Sequence, residues 1–499
     1  MKRSFTLRPL ALLLGLLTLP GLGPAVRSAS DLPTPKVLRD DTGLYPRVIR
    51  LSHSGGANGR LLASVAVPPE GDQPGLGAIY ESRDGGRSFS ATPVGSVRDP
   101  QAAQGLCCTT LFELPARMGD NPAGTLLWAA SVGQNAPERR MSLPVWKSLD
   151  QGRHWSQLSS CAAAHSSGGL WEPAFSVAAN GALVCTYSDE TDQPRHSQTL
   201  METVSTDGGA HWGAPRPVVA AHDPALRPGM ATVVRLPGGS YLMTYEVCGL
   251  QGADCAAHLR FSRDGLDWGD PARLGQRIFA STGRFFAHTP LVAWAPGGGP
   301  QGSLLLVGQL LMTPGDLAPS GGTGRTLMLN TTGGVGNWIE VPAPFALENV
   351  YDDYCPNYSS PLLPSPDGEH VLELATNYDQ PLCKPFYGTG SIARRYRVDH
   401  GTRGGGLGQL DYSGTWKADA TRHFSAGAAG VTLRFAGSGV QVYGSGAASA
   451  QLDGRPLAPL TGETPFTADR LSPGLHTLTL QVQPDARFTL THVGVDLGH

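Results

Sequence analysis

Two glutamates of this sequence occupy positions where a chain seldom places a carboxylate. Glu172 lies in the segment LWEPAFSV and Glu246 lies in YLMTYEVCG, and both segments otherwise have the composition of buried strands. A buried carboxylate without a partner is costly. Two carboxyl groups acting on one glycosidic bond would justify that cost. The structural alternative is that an arginine, such as Arg227 or Arg260, neutralises each of them.

Further residues around these segments could bind a sugar. Aromatic rings can stack on the faces of sugar rings, and carboxylates and guanidinium groups can hydrogen-bond to hydroxyls. Strand closure or core packing is the alternative for each of these residues, and we expect His288 in FFAHTPLV to be a core histidine. The candidate substrate-binding residues are Trp171, Tyr187, Asp189, Glu190, Arg227 and Tyr358.

A repeated motif indicates the architecture that must position these side chains. The segments SRDGGRSF, SLDQGRHW, STDGGAHW and SRDGLDW share a Ser-x-Asp start followed by glycine and an aromatic residue. Such a unit predicts a hairpin turn, in which the aspartate caps backbone N–H groups and the glycine takes a positive φ. A fifth segment, NTTGGVGNW, keeps only the glycine and the tryptophan. We therefore expect structural roles for Asp84, Asp150, Asp207 and Asp264.

The spacing of the motif predicts an all-β propeller. Its aspartates recur at intervals of 66, 57 and 57 residues, with short apolar runs between them. A period of that length with about four strands corresponds to a propeller blade, and residues 40–400 have room for six. Inner strands of a propeller line a central funnel, so Glu172 and Glu246, which are 74 residues apart, could converge from neighbouring blades.

These motifs carry a resemblance to known families. The Asp-box unit resembles that of sialidase-like six-bladed β-propellers. The order GLWEP, YSDE, RPGM and YE, between residues 169 and 246, resembles the exo-1,5-α-L-arabinanase family of glycoside hydrolases and its bacterial relatives. The resemblance implies a glycosidase that acts on α-L-arabinan from the chain end, without a metal or cofactor in catalysis. It also implies that Glu172 and Glu246 are the catalytic pair.

The two glutamates can be given different roles. Trp171 and Pro173 provide an apolar shell that would raise the pKa of Glu172 and keep it protonated. We therefore expect Glu172 to be the general acid/base and Glu246 to be the nucleophile of a retaining mechanism; the reverse assignment is the alternative. A carboxyl separation of about 5–5.5 Å would imply retention, and about 6.5–9.5 Å would imply inversion.

Two other functions are compatible with the propeller. An exo-α-sialidase would bind the substrate carboxylate with three arginines, for which Arg47, Arg227 and Arg284 are the candidates. The first blade, however, begins with YPRVIRL instead of the sialidase Arg-Ile-Pro. A non-catalytic glycan-binding propeller would leave Glu172 and Glu246 apart, or would lock each of them in a salt bridge.

The end of the chain predicts a second, smaller all-β domain. We expect the propeller to span 31–400, a Gly-rich linker 401–410, and a jelly-roll-like β-sandwich 411–499. This last region resembles the galactose-binding-like modules of secreted glycosidases. The resemblance implies glycan binding, and a spacer or a cover for the propeller edge is the alternative.

Residues 1–30 have the layout of a secretory signal: basic residues, an apolar run and then small residues. No later segment approaches a membrane-spanning length, so we expect a secreted protein. Lys+Arg 38 and Asp+Glu 41 nearly balance, which gives no electrostatic case for nucleic acid or an anionic membrane as a partner. We expect a glycan as the partner of a monomer.

Eight cysteines in an exported chain predict disulfides. A local bridge could join Cys248 and Cys255, and Cys355 with Cys383 and Cys161 with Cys185 are the next candidate pairs, although the sequence does not determine the connectivity. The adjacent Cys107 and Cys108 form either a vicinal disulfide or bonds to two separate partners. No paired CxxC spacing is present, which disfavours a zinc site.

Overall fold

The computed structural model describes residues 32–315, 318–462 and 465–498, and it shows an all-β chain. The predicted secretory signal, 1–30, lies outside the described residues. No helix within the described ranges has the length and apolar character needed to cross a membrane. The described ranges include two short 3-10 helices, Gly55–Ala57 and Pro100–Gln104.

Six antiparallel sheets form the blades of a propeller, which confirms the predicted architecture. Each blade runs from an inner strand to an outer one, and consecutive strands are neighbours. The first strand of the chain is β1 (Lys36–Val37), which belongs to blade six. Blades one to three contain β2 (Leu44–Arg50), β3 (Leu61–Val67), β4 (Leu76–Ser82), β5 (Gly95–Val97), β6 (Leu106–Glu113), β7 (Leu126–Val132), β8 (Ser142–Ser148), β9 (Ser156–Ala163), β10 (Leu170–Val177), β11 (Leu183–Asp189), β12 (Thr199–Ser205) and β13 (Arg216–Val219).

Blades four to six follow the same plan, with one addition. The sheet of blade four is extended by β18 and β21, which come from the connections into and within blade five. The remaining propeller strands are β14 (Arg227–Arg235), β15 (Tyr241–Cys248), β16 (Ala256–Ser262), β17 (Gln276–Arg277), β18 (Phe285–Ala287), β19 (Leu291–Ala295), β20 (Ser303–Val307), β21 (Leu310–Met312), β22 (Thr326–Asn330), β23 (Ile339–Pro342), β24 (Leu362–Pro364), β25 (His370–Asp379) and β26 (Leu382–Ser391).

The ring of blades is closed by the N-terminal end of the propeller. Strand β1 pairs with β26, with Lys36 opposite Tyr387, so it supplies the outer strand of blade six. The inner strands β2, β6, β10, β14, β19 and β24 contact one another in order, and β24 contacts β2. Closure by the first strand ties the last blade to the first and surrounds a central channel.

The Asp-box segments form the turns between the third and outer strands of their blades, as the motif predicts. In the first box the Ser82 hydroxyl donates to Asp84 Oδ1 (2.9 Å), and Asp84 Oδ1 accepts from the Ser88 N–H (3.0 Å). In the fifth segment the Asn330 side chain accepts from the Gly334 N–H (2.7 Å), so an asparagine provides this acceptor. These turns satisfy backbone donors, which supports a structural role for the box aspartates.

The C-terminal region forms one β-sheet that closes on itself, because β35 pairs with both β29 and β30. The Gly-rich segment 401–410 connects two strands of this sheet, β27 and β28. Gln409 in that segment donates to the Ser281 carbonyl of the propeller (2.7 Å). The strands are β27 (Arg395–Asp399), β28 (Leu410–Ala418), β29 (His423–Gly437), β30 (Gly439–Leu452), β31 (Arg455–Pro456), β32 (Leu460–Gly462), β33 (Phe466–Ala468), β34 (Gly474–Val482) and β35 (Phe488–Asp496).

All eight cysteines are paired. The structure contains the three candidate local disulfides, and the adjacent cysteines 107 and 108 bond to each other. The bond between Cys355 and Cys383 joins the segment before β24 to β26 within blade six. The other two pairs are Cys161–Cys185 and Cys248–Cys255.

Candidate active site

A cavity of about 550 Å³ lies where the inner strands begin, at one end of the central channel. Strand direction alternates within each blade, so an inner strand begins at the same face where the second strand ends. Glu172, near the start of β10, and Glu246, near the end of β15, are therefore brought to one face. Both line this cavity, which is the convergence that the sequence predicts.

A repeated backbone irregularity shapes the floor of this cavity. Four inner strands shift register near their first residues, and the β10 shift lies between Trp171 and Ala174. Such bulges re-aim side chains. At least one non-glycine residue with positive φ occurs at this level in every blade, and this conformation costs roughly 1–3 kcal/mol per residue. These residues include Tyr45, Cys108, Glu172, Met230, Thr289 and Ser359.

Glu172 is held by a serine from the neighbouring strand. The Ser188 hydroxyl donates to Glu172 Oε2 (2.6 Å) and accepts from the Met230 N–H (3.2 Å). A side chain on Gly229 would meet Ser188 Oγ at 2.8 Å, so a residue without a Cβ is needed beside this serine. Burial raises the pKa of Glu172 to about 8, the Ser188 bond opposes this, and the nearby Glu246 carboxylate adds to it.

Glu246 is more deeply buried and has a backbone donor. The Thr289 N–H donates to Glu246 Oε2 (2.7 Å), and Thr289 has positive φ, which sets the direction of that N–H. Burial raises the pKa of Glu246, while His288, the Thr289 N–H and Arg227 oppose the rise. Donors and positive charge favour the ionised form of this carboxyl.

Neither glutamate is neutralised by an arginine. Among the described residues, the salt bridges include neither Glu172 nor Glu246. Arg260 instead donates to the backbone carbonyls of Val218, Trp268 and Asp270. The structure therefore does not support the alternative in which an arginine neutralises each buried glutamate.

Arg227 and Glu190 form an ion pair on the cavity wall. Arg227 donates to Glu190 Oε1 (2.5 Å) and to the Gln198 side-chain oxygen (2.7 Å), and it also bonds to Ser197. Burial raises the pKa of Glu190, but the bonds from Arg227, Trp171 and the Gly169 N–H and the Arg227 charge together outweigh it, and the pKa lies below its usual range. Both residues line the cavity with Gln198, a residue that the sequence analysis did not select.

Aromatic side chains form another part of the wall. Trp171 lines the cavity, and the Arg139 guanidinium lies over its ring at 5.2 Å from the centroid. Tyr358 also lines it, with its ring 6.2 Å from that of Tyr45 and 5.7 Å from that of Tyr354. Burial raises the pKa of Tyr358, and the charges of both glutamates raise it further. Tyr358 therefore lies near both carboxylates.

Two of the predicted substrate-binding residues lie outside the cavity. Tyr187 is buried in the core between blades two and three, with 1% of its surface exposed. Asp189 accepts from the N–H (2.7 Å) and hydroxyl (2.6 Å) of Thr191 and so closes the end of β11. In the structure Tyr187 therefore packs in the core, and Asp189 caps the end of a strand.

The three arginines of the sialidase hypothesis do not converge. Arg284 pairs with Glu340 on another part of blade five. Arg47 lies beneath the cavity, over the Tyr45 ring, and donates to the backbone and hydroxyl of Ser359. Only Arg227 lines the cavity itself. His288, expected to be a core histidine, instead lies beside Glu246 and 3.6 Å from Asp352.

Sequence reasoning missed the cavity-lining residues whose orientation depends on the inner-strand bulges. Tyr45, Cys108 and Met230 form a small buried cluster under the cavity, with Cys107 packed against it. All four line the cavity. In the sequence, only the adjacency of these two cysteines indicated an unusual local backbone at this place.

Four side chains beside the cavity have the spacing of a metal site. The ligand atoms of Glu246, Cys248, Cys255 and His288 all lie within 4.8 Å of one another. The two cysteines are bonded to each other, however. They offer no thiolate, so this set does not fit a metal ion while the disulfide is intact.

Comparison with solved structures shows glycoside hydrolases of the same fold. The GH93 α-L-arabinofuranosidase of Fusarium graminearum matches 72% of this chain and 96% of its own, with 25% identity and a TM-score of 0.57. The α-L-arabinanase of Penicillium chrysogenum matches 72% of this chain and 99% of its own, with 25% identity and a TM-score of 0.60. No family model and no curated protein matches the sequence. The expected resemblance to six-bladed arabinanase-like propellers is confirmed, and these neighbours support a glycosidase.

Proposed function

We propose that the protein is a secreted exo-glycosidase that cleaves α-L-arabinan with retention of configuration, using Glu172 and Glu246. The observation that carries this proposal is that both glutamates line one central cavity and neither is neutralised by a salt bridge among the described residues. A non-catalytic propeller would not need two such carboxyls. The two neighbours named above are both complexes with arabinobiose.

The surroundings of the two carboxyls support a division of roles. Glu172, with a pKa raised to about 8, holds a proton at neutral pH and can give it to the leaving oxygen. Burial raises the pKa of Glu246 as well, but the Thr289 N–H donor, His288 and Arg227 oppose that rise, and these contacts suit Glu246 to the role of nucleophile. In the first step the Glu246 oxygen bonds to the anomeric carbon while the glycosidic C–O bond breaks. Glu172 then removes a proton from water, which displaces Glu246 and restores both groups.

The shape of the cavity supports attack at a chain end. A second, smaller cavity of about 220 Å³ lies further along the channel. Tyr45, Glu172 and Met230 line both cavities and so lie between them. A substrate that enters from the open face meets these residues at the level of Glu172. A boundary at this depth favours a terminal sugar over the middle of a polysaccharide.

The charges around the cavity support a neutral sugar. Arg227 is already bonded to Glu190, Gln198 and Ser197, and Arg284 is paired elsewhere. A sialidase needs arginines that are free to bind the substrate carboxylate. The observed arrangement therefore favours the arabinanase function over the sialidase alternative.

The test is to incubate the purified mature protein with debranched arabinan and, separately, with sialyl-lactose. We expect arabinose or arabinobiose to be released from arabinan, and we expect Glu172→Gln and Glu246→Gln to lose at least about a hundredfold in rate. A Glu373→Gln variant is the matched control, since Glu373 is also buried but does not line the cavity. Release of sialic acid would favour the alternative, and no release from arabinan would refute the assignment.

A further inference from the structure

A group of tyrosines is exposed beside the catalytic cavity. Tyr351, Tyr354 and Tyr378 are 49%, 78% and 42% exposed, although tyrosine usually buries most of its ring. The rings of Tyr351 and Tyr378 are stacked, with centroids 6.4 Å apart and planes 14° from parallel. These two rings border a surface concavity of about 480 Å³ on blade six. We call Tyr351, Tyr354 and Tyr378 the tyrosine platform.

The loop that presents this platform is held rigidly. The side-chain amide of Gln309, which is fully buried, donates to the carbonyls of Tyr351 (3.3 Å), Asp353 (2.6 Å) and Pro356 (2.9 Å). The Cys355–Cys383 disulfide ties the same loop to β26, and the Tyr378 hydroxyl donates to Asp353 (2.8 Å). Exposed rings on a fixed backbone lose little conformational freedom when they bind a partner.

The platform adjoins the catalytic cavity through Tyr354. Tyr354 lines the cavity, and its ring packs edge-on against Tyr358, which lies near both glutamates. Tyr351 precedes Tyr354 by one short turn of the same loop. Tyr378 lies at the end of β25, which is the face where the cavity opens, because β25 runs opposite to the inner strand β24. A chain that leaves the cavity on this side reaches the platform.

The chemistry of the surface selects its ligand. Of the described residues that line the concavity, none is a lysine or an arginine, Asn349 and Gln380 supply amide groups, and Glu348 is paired with Arg325 beside it. Asp352 and Asp353 lie in the presenting loop. This combination of aromatic faces, amides and negative charge suits an uncharged, hydroxyl-rich chain and disfavours an acidic polymer.

We infer that the tyrosine platform binds the part of a neutral polysaccharide that extends beyond the cavity, so that the protein holds its substrate at two places. The inference rests on the proposed function, because the bound chain is the one whose end is cleaved. A long substrate gains stacking contacts with Tyr351 and Tyr378 that a short one cannot reach. The platform therefore acts on the affinity for long chains and leaves the chemical step unchanged.

The test is affinity gel electrophoresis of the full chain carrying Glu246→Gln, so that the polysaccharide is not consumed. The gels contain debranched arabinan or, separately, the neutral polymers galactan and xylan. We expect retardation by at least one of them, and an affinity at least about tenfold weaker when Tyr351→Ala and Tyr378→Ala are added. Tyr378→Phe, which keeps the ring, should bind like its parent. Phe261→Ala, at another exposed aromatic position, is the matched control and should also bind like its parent.

Kinetics with intact Glu246 separate this inference from the proposed function. The double alanine variant should raise KM for debranched arabinan and leave kcat, and the rate on an aryl arabinobioside, unchanged. If galactan or xylan alone retards the protein through the tyrosines, the platform stands and the arabinan assignment fails. If no neutral polysaccharide retards it, or if the double variant binds like its parent, the platform inference is overturned.

Discussion

Replacing Glu172 by glutamine should make the protein more stable at neutral pH, although it should remove activity. The ordinary pKa of a glutamate is 4.5, and burial raises that of Glu172 to about 8. The folded protein therefore holds this proton more tightly than the unfolded chain does. Between these two pKa values the free energy of unfolding must fall as pH rises, because unfolding then releases a proton.

The size of this effect follows from the pKa difference. Each pKa unit corresponds to about 1.4 kcal/mol, and pH 7 lies roughly 2.5 units above the ordinary value. Glu172 borders a cavity that admits water, so we expect glutamine to add about 2 to 3 kcal/mol to the free energy of unfolding at pH 7. Glutamine keeps an oxygen that can accept the Ser188 hydroxyl, so the local geometry is retained.

Equilibrium unfolding in urea at pH 5, 6, 7 and 8 measures this prediction. The difference between Glu172→Gln and the parent should be small at pH 5 and should grow toward pH 8. A buried carboxyl outside the cavity provides the comparison: burial also raises the pKa of Glu373 to about 8, and its Oε2 has no hydrogen-bond partner among the described residues. Glu373→Gln should show the same pH dependence with full activity. If Glu172→Gln and the parent are equally stable, or if their difference does not change with pH, the reasoning is refuted.

Three further predictions concern the cavity. The value of kcat/KM should fall about tenfold per pH unit above about pH 8, as Glu172 loses its proton; a pH–rate profile measures this, and a flat alkaline limb would contradict it. Ser188→Ala removes a bond that lowers the pKa of Glu172, so the alkaline limb should move to higher pH and kcat should fall about tenfold; an unmoved limb would count against it. Replacing Cys107 and Cys108 by serine should raise KM and leave the thermal midpoint nearly unchanged, because a bond between adjacent residues closes no long loop; a large loss of stability would show a different role.

The sequence was sufficient to predict the propeller and the meeting of the two glutamates. The Asp boxes predict hairpin turns from local chemistry alone, and their spacing predicts the blade. Once the blades are in place, strand direction brings the start of β10 and the end of β15 to one face. The positions of Glu172 and Glu246 in the cavity follow from this geometry.

Other parts of the site could not be predicted, for physical reasons. Strand β11 is buried on both faces, so the alternation of polar and apolar residues that would orient Tyr187 is absent. The residues with positive φ on the inner strands, such as Tyr45 and Met230, are held by tertiary packing and not by local preference. The position of His288 beside Glu246 likewise depends on the connection between blades four and five.

Azide rescue of alanine variants tests the catalytic pair most directly. An aryl arabinobioside supplies a good leaving group, and the configuration of the glycosyl azide product is read by proton NMR. If Glu172 is the acid/base and Glu246 the nucleophile, azide should restore turnover of Glu172→Ala with the retained configuration and of Glu246→Ala with the inverted one. The opposite pattern would reverse the roles. Full activity of either variant without azide would contradict the claim that these two carboxyls perform the reaction.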